Sequence, residues 1–309
     1  MQLGLLKGRA IVLMGVGLWP GLTGGAIEGV MKRLLIAISL ALPLASVSAS
    51  TPPALAPGAD YRLVWADEFD RPGLPDPAKW DHEIQANKSG WYNDEAQYYS
   101  HADGNNARVT GGRLLIEAKP GAPGSEGSRP ADWGGQTYTS ARLTSGTHGA
   151  ITYGFVEVRA RFSCGRGSWP AIWLLPVDPN REWPASGEID VMEHVGADPG
   201  IVHQSIHTTK YNHIDKTQKT AVFPVKSACG AMHRYQLEWT PDRIRMGVDG
   251  QQQFDFAREP GRDAWPFDRP FRVILNVAVG GFWGGMKGID PKAFPMRLEV
   301  DYVRIWQKR

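Results

Sequence analysis

Cysteine and surplus charge are both scarce in this chain. Its 309 residues include only two cysteines, and its formal net charge is +2. So few sulfurs argue against a metal site built on thiolates, and the histidines show no acid–histidine motif for zinc. The balanced charge gives no basic field over the whole surface that would attract nucleic acid or a polyanionic glycan. Helical heptads are also absent, whereas many short strand-like runs are separated by turn signals, which predicts an all-β protein.

The N-terminal region has the features of a secretory signal. Residues 31–49 begin with two basic side chains, continue as an apolar run and end in small residues. We therefore expect residues 1–49 to be a leader and signal peptide, with Met31 as the true start, and the protein to be secreted or periplasmic. A membrane anchor is the alternative, but Pro43 interrupts the run, which is short against the ~20 residues of a spanning helix.

The chain that remains after cleavage is expected to be one domain. Residues 50–60 are rich in proline and alanine and predict a flexible tail, and residues 61–309 show no second domain and no internal repeat. Removing the leader leaves 30 basic and 31 acidic side chains. In an exported chain, the pair Cys164 and Cys229 favours a disulfide, which would constrain the unfolded chain by about 4 kcal/mol. Two buried free thiols are the alternative.

Three carboxylates crowd an apolar, β-prone stretch at Glu188, Asp190 and Glu193. Side chains alternate along a regular strand, so Glu188 and Asp190 share one face while Glu193 points to the other. A β-bulge at Val191-Met192 would place two residues in one ladder position and return Glu193 to the face of the other acids. The sequence therefore predicts a row of three acids on a strand, with Ile189 and the bulge side chains in the core.

This acid row suits one kind of chemistry. Two carboxyls about 5–5.5 Å apart serve a retaining glycosidase, one as nucleophile and the other as acid and then base. Four ladder steps separate the Cα atoms of Glu188 and Glu193 by roughly 13 Å, so the strand must be concave for the side chains to meet. Asp190 between them is a like charge that raises the pKa of the glutamic acid that must start protonated. The alternative is a solvated strand face that carries acids by chance.

The same residues resemble a known family. The run Glu-Ile-Asp-Val-Met-Glu at 188–193, preceded by the aromatic strand 169–176, resembles the active-site strand of glycoside hydrolase family sixteen. The bulged variant is typical of laminarinases, agarases and carrageenases, and the similarity covers nearly all of residues 61–307. It implies a curved antiparallel β-sandwich, a jelly roll with an open concave cleft. The roles that it implies are nucleophile for Glu188, assisting acid for Asp190 and acid/base for Glu193.

The resemblance also implies a set of cleft residues. Several fall on family segments: Asn93 and Glu95 on Gly-Trp-x-Asn-x-Glu-x-Gln-Tyr-Tyr, and Arg142 on Tyr-Thr-Ser-x-Arg, where a basic side chain near the acids would lower the pKa of the nucleophile. Each of these positions also has an alternative. The aromatics could pack in the core, Arg142 could be a surface residue, and His207 could be an ordinary strand residue. Trp169 is favoured over Trp173 as the sugar platform. The candidate substrate-binding residues are Asn93, Glu95, Arg142, Trp169, Trp173, His207, Asn276 and Trp283.

Many family members hold a structural calcium on the convex side. Glu68, Gly112 and Asp301 fall on the positions of its ligands, and hard oxygen ligands suit Ca²⁺. Ordinary surface charges are the alternative for the two acids. No cofactor is expected for catalysis itself.

Taken together, the sequence predicts a secreted retaining endo-β-glucanase that cleaves β-1,3 bonds in laminarin-like glucan. Its expected partner is the polysaccharide substrate, without nucleic acid or membrane, and we expect a monomer. The segment from Ile206 to His213 departs from the family's Leu-His-Tyr-Gly-Gly, which weakens the substrate assignment more than the mechanism. A hydrolase of mixed-linkage β-1,3-1,4-glucan or of an algal galactan is therefore the alternative within the enzyme class. A lectin-like carbohydrate-binding module is the non-enzymatic alternative.

Overall fold

The computed structural model describes residues 54–178 and 182–309. The predicted leader and signal peptide lies outside the described residues. In chain order the strands are β1 (Tyr61–Asp67), β2 (Asp81–His82), β3 (Gln97–Tyr99), β4 (Ala107–Thr110), β5 (Arg113–Pro120), β6 (Tyr138–Ser140), β7 (Arg142–Thr144), β8 (Gly154–Phe162), β9 (Ser168–Pro176), β10 (Glu188–Glu193), β11 (Ile201–His207), β12 (Lys219–Pro224), β13 (His233–Trp239), β14 (Arg243–Val248), β15 (Gln251–Ala257), β16 (Phe271–Val279) and β17 (Met296–Lys308).

Helical structure in the described part of the chain is limited to short turns. These are the α-helix α1 (Gly281–Gly284) and two 3-10 turns at Tyr92–Asp94 and Pro291–Ala293. No helix among residues 54–178 and 182–309 is long and apolar enough to cross a membrane.

The strands form two sheets. One has ten strands, with the order β15-β14-β13-β8-β17-β5-β6-β3, while β1 pairs with β17 and β4 pairs with β5. The other has seven strands, with the order β12-β11-β10-β9-β16-β7-β2. The pairings are antiparallel except for the short parallel pair of β3 and β6. The predicted all-β, antiparallel sandwich is therefore confirmed.

The core lies between the two sheets and follows the period of two along each strand. Val156 and Val158 of β8 enter it from the ten-stranded sheet, and Ile172 and Leu174 of β9 enter it from the seven-stranded sheet. All four side chains are fully buried. Burial of each such side chain stabilises the fold by roughly 1.5–3 kcal/mol. The residues between them on β9 point the other way and are free to line a site on the opposite face.

Along β8 the apolar residues at 156, 158, 160 and 162 alternate with charged residues, which predicts one face exposed to water. Glu157 belongs to the face expected to be wet, yet it is only 7% exposed. Tyr302 donates its hydroxyl to Oε1 of Glu157 at 2.7 Å, and Gln236 donates its amide to Oε2 at 2.6 Å. Because β8 lies between β13 and β17 inside the larger sheet, side chains from both neighbours cover this carboxylate.

The two cysteines are joined as predicted. The Cys164–Cys229 disulfide links the turn after β8 to the turn before β13, with 5.4 Å between the Cα atoms. It closes a loop that contains both β10 and its neighbours β9 and β11.

Residues 50–60 are predicted to form a flexible tail, but Leu55 within this segment packs against the domain. This side chain is only 3% exposed and packs with Tyr61 and Phe155, and its backbone N–H donates to the carbonyl of Gly250 at 2.7 Å. An apolar residue that finds a hydrophobic site and a backbone acceptor is held against the domain, whatever the composition around it.

Candidate active site

Strand β10 contains the predicted β-bulge. Asp190 pairs with Ser205 of β11, and the next pair on that side is Glu193 with His203, so the register shifts between them. A matching shift occurs on the β9 side. Val191 is completely buried in the core, as are Ile189 and Met192. Glu193 is therefore returned to the face of Glu188, which confirms the proposed geometry of the strand.

Glu188 and Glu193 line one cleft on the outer face of the seven-stranded sheet. Its volume is about 480 Å³, within the range of ligand-binding sites in proteins. Strands β9, β10, β11, β12 and β16 supply most of its walls, and α1 closes one side. Of the eight predicted substrate-binding residues, the structure places seven in this lining: Asn93, Glu95, Trp169, Trp173, His207, Asn276 and Trp283.

Each of the two glutamates accepts a hydrogen bond from a tryptophan. The indole Nε1 of Trp183 donates to Oε2 of Glu188 at 2.6 Å, and Nε1 of Trp169 donates to Oε1 of Glu193 at 3.1 Å. Such donors favour the ionised carboxylate and fix the direction in which it points. The two acids are thus held separately, from opposite ends of β10.

Asp190 lies between the glutamates and is almost fully buried, with 1% of its surface exposed. Nε2 of His207 lies 3.2 Å from Oδ2 of Asp190. The pairing of Glu188 with His207 across the β10–β11 ladder brings this imidazole beside the acid row. This imidazole opposes the rise in the pKa of both glutamates.

Desolvation raises the pKa of every acid in the row. Desolvation and the charge of Asp190 raise the pKa of Glu188 to about 8, against the lowering effect of His207 and of the Trp183 donor. Desolvation and the charge of Glu188 raise the pKa of Glu193 to about 7. The pKa of Asp190 is also raised, by burial first and by Glu193 second. The three groups titrate as one coupled set, so that ionisation of one acid keeps its neighbours protonated, which is what a general acid requires.

A polar network forms the wall of the cleft on the β16 side. Trp173 donates its indole N–H to Oδ1 of Asn276 at 2.8 Å, and Asn276 donates its amide to the hydroxyl of Tyr99 at 3.0 Å. Glu95 accepts from Gln97 at 2.8 Å, and burial raises its pKa. These bonds fix the plane of the Trp173 ring and the donors and acceptors beside it.

A comparison with known proteins identifies this arrangement. A family profile described as "Glycosyl hydrolases family 16" matches residues 93–304. The chain belongs to glycosyl hydrolase family 16. It is therefore a glycoside hydrolase, and its sandwich is the jelly roll of that family, as the sequence resemblance implied.

Individual relatives agree with the family assignment. The chain is 47% identical to a β-glucanase of Rhodothermus marinus over 256 residues, which is 80% of this chain and 85% of the relative. Among solved structures, SCLam, described as a non-specific endo-β-1,3(4)-glucanase, has 48% identity and a TM-score of 0.78 over 83% of this chain and 96% of its own. The laminarinase from Rhodothermus marinus has 46% identity and a TM-score of 0.74, with 81% and 98% covered.

Arg142 does not lie where the sequence predicted in this family-16 cleft. It is 7% exposed, it donates from Nε to Oε2 of Glu83 at 2.5 Å, and it is absent from the cleft lining. Its guanidinium stacks over Trp91 at 5.1 Å and Trp173 at 4.6 Å. Arg142 is thus neither a surface residue nor a partner of Glu188. It supports Trp173 from below by a cation–π contact.

Sequence reasoning missed the aromatic residues that loops bring to the family-16 cleft. The rings of Trp183 and His213 lie 4.9 Å apart, His213 and Phe282 lie 5.7 Å apart, and Phe282 and Trp169 lie 6.0 Å apart. These ring contacts connect Trp183, which donates a hydrogen bond to Glu188, with Trp169, which donates one to Glu193. The signal for Trp183 was its place five residues before the first acid, and the signal for Phe282 was its place beside Trp283 in a glycine-rich turn.

The residues predicted to bind calcium are engaged with arginines. Arg304 donates two hydrogen bonds to the carboxylate of Glu68, from Nε to Oε1 and from Nη2 to Oε2, each at 2.8 Å. Asp301 accepts from Arg159, and Arg113 lies 3.8 Å away on its other side. As they stand, these carboxylates do not fit Ca²⁺, which takes free oxygen ligands.

Proposed function

We propose that this family-16 chain is a retaining endo-β-glucanase that cleaves β-1,3 bonds in laminarin-like glucan. The observation that carries the proposal is that one bulged strand presents Glu188 and Glu193 to the same cleft, each with its own tryptophan donor. The names of the relatives, a β-glucanase, an endo-β-1,3(4)-glucanase and a laminarinase, support the choice of glucan.

In the first step, the carboxylate of Glu188 attacks the anomeric carbon and the glycosidic C–O bond breaks. Glu193 gives its proton to the departing oxygen, so the leaving sugar departs as an alcohol and Glu193 becomes a carboxylate. The hydrogen bond from Trp183 orients the attacking oxygen of Glu188. The product on the enzyme is a covalent glycosyl ester of Glu188.

In the second step, Glu193 acts as a base. It takes a proton from water, the oxygen of that water attacks the anomeric carbon, and the carboxylate of Glu188 leaves. Two inversions give net retention of the anomeric configuration. Asp190 and His207 lie beside the nucleophile and shift its pKa in opposite directions, Asp190 upward and His207 downward. Catalysis then needs no cofactor, because side chains perform both proton transfers.

The roles can be tested with Glu188→Ala. We expect this variant to lose turnover of laminarin while it retains nearly normal binding of laminari-oligosaccharides by calorimetry, because only the nucleophile is removed. Glu126→Ala, at an exposed position outside the cleft lining, is the control. Near-normal release of reducing sugar by Glu188→Ala would contradict the assignment, and an α-configured first product in a proton NMR time course would contradict retention.

The substrate can be tested with a panel of laminarin, barley β-glucan, agarose and carrageenan. Laminarin should be cut fastest, with a rapid fall in viscosity that indicates internal cleavage. Preference for barley glucan would favour the mixed-linkage alternative, which the name of SCLam also supports. Preference for agarose or carrageenan would favour the galactan alternative. Binding without any hydrolysis would favour the lectin-like module.

We propose export and a monomeric state as well. The signal-like segment 31–49 supports cleavage after Ala49, and the disulfide between Cys164 and Cys229 suits an oxidising compartment. The mass of the processed protein from the culture medium or periplasm tests the cleavage position. Light scattering on the same sample tests the monomer.

A further inference from the structure

His194 is a buried imidazole that the proposed chemistry does not use. It follows Glu193 directly, and it is completely buried whereas Glu193 lines the cleft. Its side chain therefore lies on the core side of the sheet, directly behind the acid/base. Its backbone N–H donates to the carbonyl of Pro170 at 3.2 Å, which continues the pairing with β9 past Glu193.

Three groups hold the imidazole. Its ring lies 4.6 Å from the ring of Phe162, Nε2 accepts the backbone N–H of Gly200 at 3.1 Å, and Sγ of Cys164 lies 3.4 Å from the same nitrogen. Burial, with a smaller contribution from His203, lowers the pKa of His194 to about 4. The ring is therefore neutral at ordinary pH, and a neutral imidazole can accept at Nε2.

The surrounding backbone leaves this end of β10 little freedom. A side-chain carbon at Gly196 would meet the carbonyl oxygen of Gly165, the residue after Cys164, at 1.7 Å. The N–H of Gly196 donates to the carbonyl of Ser168 at 2.9 Å. The turn that follows Glu193 is therefore packed directly on the disulfide-bonded turn, and His194 fills the space between them.

We propose that His194 is a positioning residue for Glu193: its ring, locked between Phe162, Gly200 and the Cys164 sulfur, sets the backbone from which the acid/base reaches the glycosidic oxygen. The proposal rests on the acid/base role of Glu193 proposed above. A shift of about 1 Å in a catalytic group can cost on the order of a hundred-fold in rate. Loss of the His194 contacts should therefore weaken proton transfer while the nucleophile, held by Trp183, remains in place.

Leaving-group dependence separates this role from general destabilisation. The dinitrophenolate of an activated substrate such as 2,4-dinitrophenyl β-laminaribioside leaves without taking a proton. The phenol of the phenyl analogue needs a proton from Glu193 to leave. General acid–base catalysis contributes roughly 10²–10⁴-fold, so His194→Ala should lose at least about ten-fold in kcat/KM on the phenyl glycoside and less than about three-fold on the activated one. Val158→Ala, a cavity variant in the other sheet, is the control for lost stability alone.

Azide gives a second readout. When the base is misplaced, azide attacks the anomeric carbon of the glycosyl-enzyme without needing deprotonation, Glu188 leaves, and a β-glycosyl azide forms. We expect this product from His194→Ala and from the reference variant Glu193→Gln, and none from Val158→Ala. His194→Gln, whose amide oxygen can accept the Gly200 N–H, should restore most of the activity on the phenyl glycoside. If His194→Ala fails to fold, His194→Phe keeps the ring contact and removes only the acceptor.

The outcomes distinguish the two proposals. An equal loss on both glycosides by His194→Ala, or by His194→Phe in its place, with no azide product would overturn the positioning role even if Glu193→Gln forms the azide. If Glu193→Gln itself forms no azide product and its kcat/KM decreases equally on both glycosides, then the acid/base role of Glu193 is wrong. The positioning role of His194 is then wrong as well.

Discussion

Trp183 donates its indole N–H to Oε2 of Glu188 at 2.6 Å, and these two residues are only five positions apart in the chain. The bond opposes the two largest effects that raise the pKa of Glu188, burial and the charge of Asp190. It therefore favours the carboxylate form that attacks the sugar. The tryptophan also joins the aromatic contacts that reach Trp169 and the acid/base.

Trp183→Phe should slow the enzyme by about ten- to a hundred-fold at neutral pH, because a hydrogen bond to a charged group is worth roughly 1.5–3 kcal/mol. Loss of the donor raises the pKa of Glu188, so the acidic limb of the kcat/KM profile should move to higher pH. The measurement is laminarin hydrolysis across pH. Trp133→Phe is the control, since its indole donates to the backbone of Gln136 away from the cleft. An unshifted acidic limb would contradict the role of Trp183.

The sequence could indicate the acid row but not its aromatic partners. Parity alone requires a bulge if Glu193 is to join Glu188, because five steps along a regular strand reverse the face. His213 and Phe282, by contrast, come from turns that follow different strands, and only the tertiary fold brings their rings within 5.7 Å. The position of Arg142 could not be predicted for the same reason, since its partner Glu83 is 59 residues away in the chain.

Deletion of Met192 should abolish activity and destabilise the fold. With one residue fewer, the strand returns to strict alternation and Glu193 points into the core, where an unpaired carboxyl is costly. Thermal unfolding and laminarin hydrolysis measure both effects. Met192→Leu keeps the length and the buried volume, so it should retain activity with a loss under about 1.5 kcal/mol. An active deletion variant would show that the bulge is dispensable.

Calcium should have no specific effect on stability. Glu68 and Asp301 are each bonded to an arginine, so a metal ion would have to displace Arg304 and Arg159 before it could bind. The melting temperature should be the same after chelation and in millimolar CaCl2, in the wild type and in Glu68→Gln. A calcium-dependent rise that Glu68→Gln removes would instead establish the site that the family resemblance implied.

The pH profile of the first step should show Glu193 as the acid. Burial and the charge of Glu188 raise the pKa of Glu193, so kcat/KM on the phenyl glycoside should fall on the alkaline side of its optimum as Glu193 loses its proton. Glu193→Gln cannot lose a proton, and its residual activity on the 2,4-dinitrophenyl glycoside should lack this basic limb. A basic limb that persists in Glu193→Gln would assign the proton to another group.

The acid row should also make the fold less stable at alkaline pH. The pKa of Glu188 is raised from 4.5 to about 8, so between these values the folded state binds more protons than the unfolded state. By linkage, the stability that the protonated group provides is fully present below pH 4.5 and is lost as pH rises through 8. Glu188→Gln carries no charge to desolvate, so its melting temperature should exceed that of the wild type at pH 9 by more than at pH 5. Glu126→Gln, at an exposed position, should follow the wild type at both pH values. If Glu188→Gln raises the melting temperature equally at pH 5 and pH 9, then ionisation of Glu188 does not destabilise the folded protein.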